Sequence, residues 1–155
     1  QVDFQLAKRF EMLYTDSDGE KKYPYVIHRT SLGCYERTLA LLLEKYAGAL
    51  PLWIAPYQVA ILSVNDRCEE YCRKLSARLL EEGIRTNLDL RSEKIGRKIR
   101  DAQLEKVPYM LIVGDKEIEA GAVAVRRRRE GDIGVMSVED FIKRVKSEVK
   151  SLKLD

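Results

Sequence analysis

Arg91, Lys94, Arg97, Lys98 and Arg100 place five cations within ten positions, and Arg126 to Arg129 set four guanidinium groups in a row. Between Arg91 and Arg129 there are 11 Lys or Arg against 6 Asp or Glu, a balance of +5. The whole 155-residue chain has 28 against 25, only +3, so the remainder, at 17 against 19, is slightly acidic. Cations gathered on one stretch suit a polyanion, because the counterions they displace from phosphates supply much of the affinity. The stretch reads as a surface for RNA. The plainer reading is a solvated helix face followed by an edge strand kept from sticking by charge. Two details favour a partner. The cations near Lys94 fall at the start of a short predicted helix, where the helix dipole disfavours them. In addition, GDKE and VAVR place an acceptor, Glu117, and a fork of donors, Arg126, on neighbouring segments, the combination that reads unpaired base edges.

Gly33, Glu36 and Arg37 form a second group, a glycine at a strand-to-helix turn followed by an arginine in the first helical turn. Unpaired N–H groups beside a guanidinium make a phosphate site, although an exposed, salt-bridged arginine has the same spacing. His28 is the only histidine, and alone it is more simply a strand residue than a metal ligand, since zinc takes three or four converging ligands. Cys68 and Cys72, four apart, fit the apolar face of a helix better than a metal site. No Walker loop, paired-carboxylate motif or Ser/His/Asp set is present in the sequence.

Several classes are excluded by composition. No apolar run approaches the roughly 20 residues of a spanning helix, and QVDFQLAKRF has no basic-then-apolar order of a secretory signal. Three cysteines without a disulfide-framework spacing point to a reducing, cytoplasmic setting.

The elements that must position these residues fall into two parts. Val2, Phe4 and Leu6 alternate with polar neighbours over Gln1 to Phe10, which predicts a half-buried strand. TDSDGEKK then supplies a turn and YPYVIHRT a second strand, giving a hairpin. CYERTLALLLEKY, Cys34 to Tyr46, predicts a helix apolar enough to be largely buried, stopped at Gly48. Pro51 and Pro56 bracket a packed apolar join. Beyond Tyr57, QVAILSV, a helix capped by Asn65 or Asp66 and ended by Gly83, IRTNLDL, IGRKIRDAQLEK and PYMLIVG read as β-α-β-α-β, which favours a parallel sheet. GAVAVRRRR predicts a further strand, and Ser137 with Asp140 the start of a last helix to about Leu152.

These residues resemble a known family. DLRSEKIGRKIRDAQLEKVPYMLIVGDKE with VAVRRRR is similar to the anticodon-binding domain of threonyl-tRNA synthetases, and PLWIAPYQVAIL to the join that leads into it. IHRTSLGCYERTLALLLEKYAGALP resembles the third signature motif of class II aminoacyl-tRNA synthetases in its threonyl form. The resemblance covers essentially the whole chain. It implies an α/β fold: a three-layer anticodon-binding domain with a mixed, mainly parallel sheet, preceded by a hairpin and helix from the antiparallel sheet of a class II catalytic domain. The implied divisions are 1–50 for the catalytic remnant, 51–56 for a linker and 57–155 for the anticodon-binding domain.

By the same resemblance Arg37 contacts ATP phosphates, His28 is one of three zinc ligands, and Gln1 and Cys34 lie near the amino acid. Lys94, Arg100, Glu117 and Arg126 fall where the family meets the anticodon loop. Lys98 joins Lys94 and Arg100 in the expected capture of the RNA backbone. Cys34 stands where many relatives have serine, Ala7-Lys8 replaces a common Pro-Glu, and Lys106 stands where an arginine occurs, keeping charge without the fork.

The resemblance implies a threonine–tRNA ligase as parent, homodimeric, using ATP with Mg and one zinc, with threonine and threonine tRNA as partners and no membrane. The first two class II motifs and two zinc ligands are missing, so the chain is expected to be a C-terminal portion that holds no cofactor and forms no adenylate alone. The rival reading is a stand-alone RNA-binding or protein-interaction module; its gene would start near Gln1. Open strand edges about Val2 and Val26 predict partial disorder or self-association there, and good order beyond Pro56.

Overall fold

The computed structural model describes residues 1–152 and 154. Two compact units are present, Gln1–Ala40 and Leu41–Asp155.

In the first unit the expected strand is cut short. β1 is only Val2–Asp3, and α1, Leu6–Arg9, follows at once. Asp3 is the cause: its Oδ1 accepts the backbone N–H groups of Gln5 at 2.7 Å and Leu6 at 2.9 Å, which bends the chain into a helical turn. The single expected hairpin becomes two ribbons. β2 (Tyr14–Thr15) pairs with β3 (Lys21–Lys22) across the TDSDG turn, while β1 pairs antiparallel with β4 (Val26–Ile27). Lys22 ties the turn by bridging Asp16, at 2.6 Å, and Asp18.

Gly33, at φ +71°, precedes α2, Tyr35–Tyr46, which ends at Ala47 and Gly48 with φ +49° and +78°. The helix is where the sequence predicts it, but its burial is not. No residue of α2 is buried, and Leu39, Leu41 and Leu43 are exposed. Apolar positions are buried only against another element, and the described residues provide none for these three.

In the second unit the join is packed. Leu52 and Ala55 are buried, and buried Gln58 donates from Nε2 to the Leu52 carbonyl at 3.0 Å and accepts the Arg85 N–H at 2.9 Å. Arg85 in turn donates to the carbonyls of Ala55 and Trp53.

The elements that follow are β5 (Val59–Ser63), a 3-10 turn at Asp66–Cys68, α3 (Glu69–Glu81), β6 (Thr86–Asp89), α4 (Ile95–Leu104) and β7 (Tyr109–Val113). Then come α5 (Asp115–Ala120), β8 (Ala122–Arg127), β9 (Gly131–Ser137) and α6 (Val138–Lys150). The sheet order is β6-β5-β7-β8-β9. β5 is parallel to β6 and β7, whereas β8 and β9 are antiparallel additions.

All five residues of β5 are buried, as a strand covered on both faces requires. Val59 and Ile61 face a core with Leu75 and Leu79 of α3 and Phe141 and Val145 of α6. Ala60 and Leu62 face the opposite core with Ala102 of α4 and Met110. The domain is therefore three layers, with α3 and α6 below the sheet and α4 above it.

Three local details differ from the sequence reading. Asn65 does not cap a helix with its side chain; its Oδ1 accepts the Cys68 thiol at 3.1 Å and its Nδ2 donates to Asp115 at 3.3 Å. α5 was not expected, being six residues long, too short for a helical period to show; the Glu117 carboxylate closes its first turn and Gly121, at φ +59°, ends it. β9 was not expected either, because a bulge opposite Val125/Arg126 interrupts its alternation. Ser137 caps α6 as anticipated, its Oγ accepting the Asp140 N–H at 3.1 Å.

Candidate nucleic-acid interface

α4 leaves the carboxyl end of β6 and carries the first group of cations, which the structure sorts into three roles. Arg91 and Arg97 are tied down. Arg91 donates from Nε and Nη2 to the two Asp89 oxygens at 3.0 and 2.7 Å, and from Nη2 to Asp101 at 2.8 Å. That fork holds the Asp89 carboxyl below its usual range. Arg97 lies 3.3 Å from Glu93. Lys94, at the N-cap of α4, and Arg100 are exposed, and their side chains make no hydrogen bond or ion pair among the described residues.

Lys98 corrects the sequence reading. It is 2% exposed, and its ammonium donates to the Ser63 carbonyl at 2.8 Å, Ser63 Oγ at 3.0 Å and the Asp89 carbonyl at 3.4 Å. An ammonium has three donors, and all three are occupied inside the protein. Lys98 is not a surface phosphate contact.

Beside Lys94 lies an open crevice of about 370 Å³, walled by Val64, Asn65 and Asp66 on one side and by Ser92, Glu93 and Lys94 on the other. It sits outside the carboxyl ends of β5 and β6, the end of a parallel sheet where ligands of open α/β folds gather. The sequence reading gave Asn65 and Asp66 only a capping role. The signal that marks them is positional: they come two and three residues after the buried parallel strand β5.

The remaining candidates lie on other segments. Lys106, at φ +58° just past α4, donates to the Ala47 carbonyl, so its ammonium is already engaged. Glu117 uses Oε2 to accept the Gly114 N–H at 2.9 Å. Arg126 is partly exposed; its Nη1 stands 3.9 Å from Asp132 Oδ2, and its buried Nε has no hydrogen-bond partner among the described residues. The arginine run is not a uniform patch. Arg127 reaches Glu130 and Glu148, and Arg128 donates to the carbonyls of Leu50 at 3.1 Å and Lys106 at 2.8 Å.

Arg126 pairs with Met110 near the start of β7, whereas Glu117 follows Gly114 beyond its end. At about 3.3 Å per residue the strand positions beside them, Met110 and Gly114, are about 13 Å apart. Among the described residues no hydrogen bond or ion pair joins the two side chains.

In the first unit His28 Nε2 lies 3.5 Å from Asp3 Oδ2, and the Gln1 nitrogen donates to the His28 carbonyl at 3.1 Å. The hydrogen bonds from Leu6 and Gln5, more than His28, hold the Asp3 carboxyl below its usual range. Cys34 Sγ donates to Glu36 at 2.9 Å, which lowers that carboxyl too. Arg37 is exposed in the first turn of α2, with no side-chain partner among the described residues. Among those residues no three His, Cys, Asp or Glu converge as a metal site needs. No helix among them is long and apolar enough to cross a membrane.

Comparison with known proteins adds three findings. Residues 58–148 match the family described as the anticodon binding domain. The chain is 52% identical over 151 residues to a threonine–tRNA ligase of Clostridium botulinum (strain Hall), covering 97% of this chain and 24% of that protein. It is 54% identical over 149 residues to a threonine–tRNA ligase of Clostridium perfringens (strain SM101), covering 96% and 23%. The chain thus spans about a quarter of the length of these relatives. Among solved structures, the RNA binding domain of a threonyl-tRNA synthetase from Cryptosporidium parvum aligns with a TM-score of 0.72 at 32% identity, over 96% of this chain and 38% of that one.

Proposed function

The chain belongs to the anticodon binding domain family, and from that premise we propose that it is the anticodon-reading part of a threonine–tRNA ligase. The observation that carries the reading is identity at 52% running over 97% of the chain, the first unit included. A free-standing RNA module would have no use for His28 and Arg37 in the register of a synthetase active site.

Residues 57–155 serve as the anticodon-binding domain, 51–56 as the join and 1–50 as a piece of the catalytic domain. Lys94 and Arg100, exposed and without a side-chain partner among the described residues, attract the RNA backbone, a role that fixes position without reading sequence. Glu117 and Arg126 read bases exposed in the loop. Lys106 contributes only if RNA displaces the Ala47 carbonyl from its ammonium. In the whole ligase Arg37 meets the ATP phosphates, Gln1 and Cys34 border the threonine, and His28 supplies one of three zinc ligands; ATP, Mg and zinc belong to that assembly.

The test is direct binding of the 155-residue chain to threonine tRNA and to an unrelated tRNA, followed by fluorescence anisotropy. Preference for the threonine tRNA of at least tenfold supports the reading. Equal affinity for both means that the cations give general attraction alone.

A further inference from the structure

Among the described residues Lys98 is the one Lys or Arg that is buried. Its setting is unusual because none of its three acceptors is a carboxylate. Burying an ammonium is costly unless every donor is satisfied, and a leucine would pack equally well between a helix and a sheet. Packing therefore does not call for a charge here. The acceptors themselves suggest what does.

Ser63 is the last residue of β5 and Asp89 the last of β6. Lys98 gathers their carbonyls at the point where the two parallel strands release the segments that wall the crevice. Ser63 Oγ completes the knot, accepting from Lys98 and donating to the Asp89 carbonyl at 3.3 Å. Lys94, the N-cap of α4, is four residues earlier, one turn away. The Lys98 side chain also lines both the crevice and an adjoining groove of about 440 Å³ between β6 and α4.

We propose that Lys98 is a positioning residue for RNA binding: by tying the ends of β5 and β6 to the first turn of α4, it holds the Val64–Asp66 and Arg91–Lys94 segments at the spacing in which Lys94 meets a phosphate. It does this without touching RNA itself. The role rests on the RNA reading above.

The test uses the 155-residue chain with Lys98→Met, which keeps length and apolar volume but donates nothing, and Ser63→Ala, which removes one acceptor. Hydrogen exchange is expected to quicken at least tenfold for amides of Leu90 to Arg97 in Lys98→Met and less in Ser63→Ala, with α6 unchanged. Affinity for a synthetic hairpin bearing a threonine anticodon loop is expected to fall at least fivefold in Lys98→Met. Lys94→Ala should then cost much less in that variant than in the wild type, because the two act through one another. A merely structural Lys98 would lower the melting temperature and leave the effect of Lys94→Ala the same in both backgrounds. Unchanged exchange, or additive losses, overturns the proposal. If Lys98→Met loses protection everywhere, Ser63→Ala carries the same comparison. Faster local exchange in a chain whose wild type ignores the hairpin sinks the RNA reading, and the positioning role with it, while leaving the tie between strands in place.

Discussion

The Tyr109 hydroxyl donates to Glu148 Oε2 at 2.8 Å while Arg127 Nη2 donates to the other oxygen at 2.7 Å, so one carboxylate of α6 clasps β7 and β8 together. The Tyr109 ring also meets Phe141 edge-on, with centroids 5.5 Å apart, and the Arg127 guanidinium stands 5.7 Å from its centroid. The clasp is nearly buried and spans the layer boundary between the sheet and α6. Its loss therefore registers as global stability.

Breaking a fully buried ion pair costs roughly 3–5 kcal/mol. Glu148→Ala is expected to cost about 2 kcal/mol, because Arg127 keeps Glu130 as a second partner. Tyr109→Phe, which removes the bond to Glu148 and the longer one, at 3.4 Å, that the hydroxyl accepts from Arg144 Nε, should cost about 1 kcal/mol. Urea titration of both variants checks the ranking, and a Tyr109→Phe loss larger than that of Glu148→Ala would contradict it.

Burial pushes the Cys72 thiol up to about 11 from 9.0. Between those values the native state holds a proton that the unfolded chain has released, so stability is full below pH 9 and declines as pH rises toward about 11. Cys72→Ala should flatten that part of the profile. The same burial protects the thiol: iodoacetamide at pH 8 is expected to label exposed Cys34 and spare buried Cys68 and Cys72, as peptide mass spectrometry would show.

At the acid end the sign reverses. The Arg91 fork holds the native Asp89 carboxyl below its usual value, so its stabilisation is present above the unfolded pKa and lost as pH falls through the native one. Arg91→Ala should lower stability at pH 7 and lower it less in acid, measured by thermal melts at both ends.

Leu39 and Leu43 are four residues apart on one face of α2 and leave that face apolar in water. Concentration-dependent self-association is expected, and Lys at both positions 39 and 43 should shift sedimentation toward monomer. Unaltered sedimentation would place the association elsewhere.

Much of the fold was legible in the sequence because its signals are local. The β-α-β-α-β run showed as apolar strands alternating with helical periods, Gly48 and Gly83 marked helix ends, and Ser137 with Asp140 marked a start. What escaped was decided by single side chains or by tertiary pairing. Asp3 turned a strand-like alternation into a helix, and the bulge in β9 hid its period. The candidate interface was half legible. Charge density located α4, but density cannot distinguish Lys94, which faces water, from Lys98, which faces two strand ends. That distinction depends on which turn of the helix lies over the sheet. Likewise, nearness in sequence suggests that Glu117 and Arg126 work together, but only the strand register shows that Arg126 lies beside the start of β7 while Glu117 follows its end.

The central claim is tested most directly by anisotropy of a hairpin carrying a threonine anticodon, against one with a substituted anticodon, for wild type and Arg126→Ala at two salt concentrations. The account predicts that wild type prefers the threonine anticodon at both salts, and that Arg126→Ala loses roughly 1–3 kcal/mol of that preference while keeping the same salt slope within about one charge. Equal binding of both hairpins by wild type, disappearing as salt rises, would contradict it.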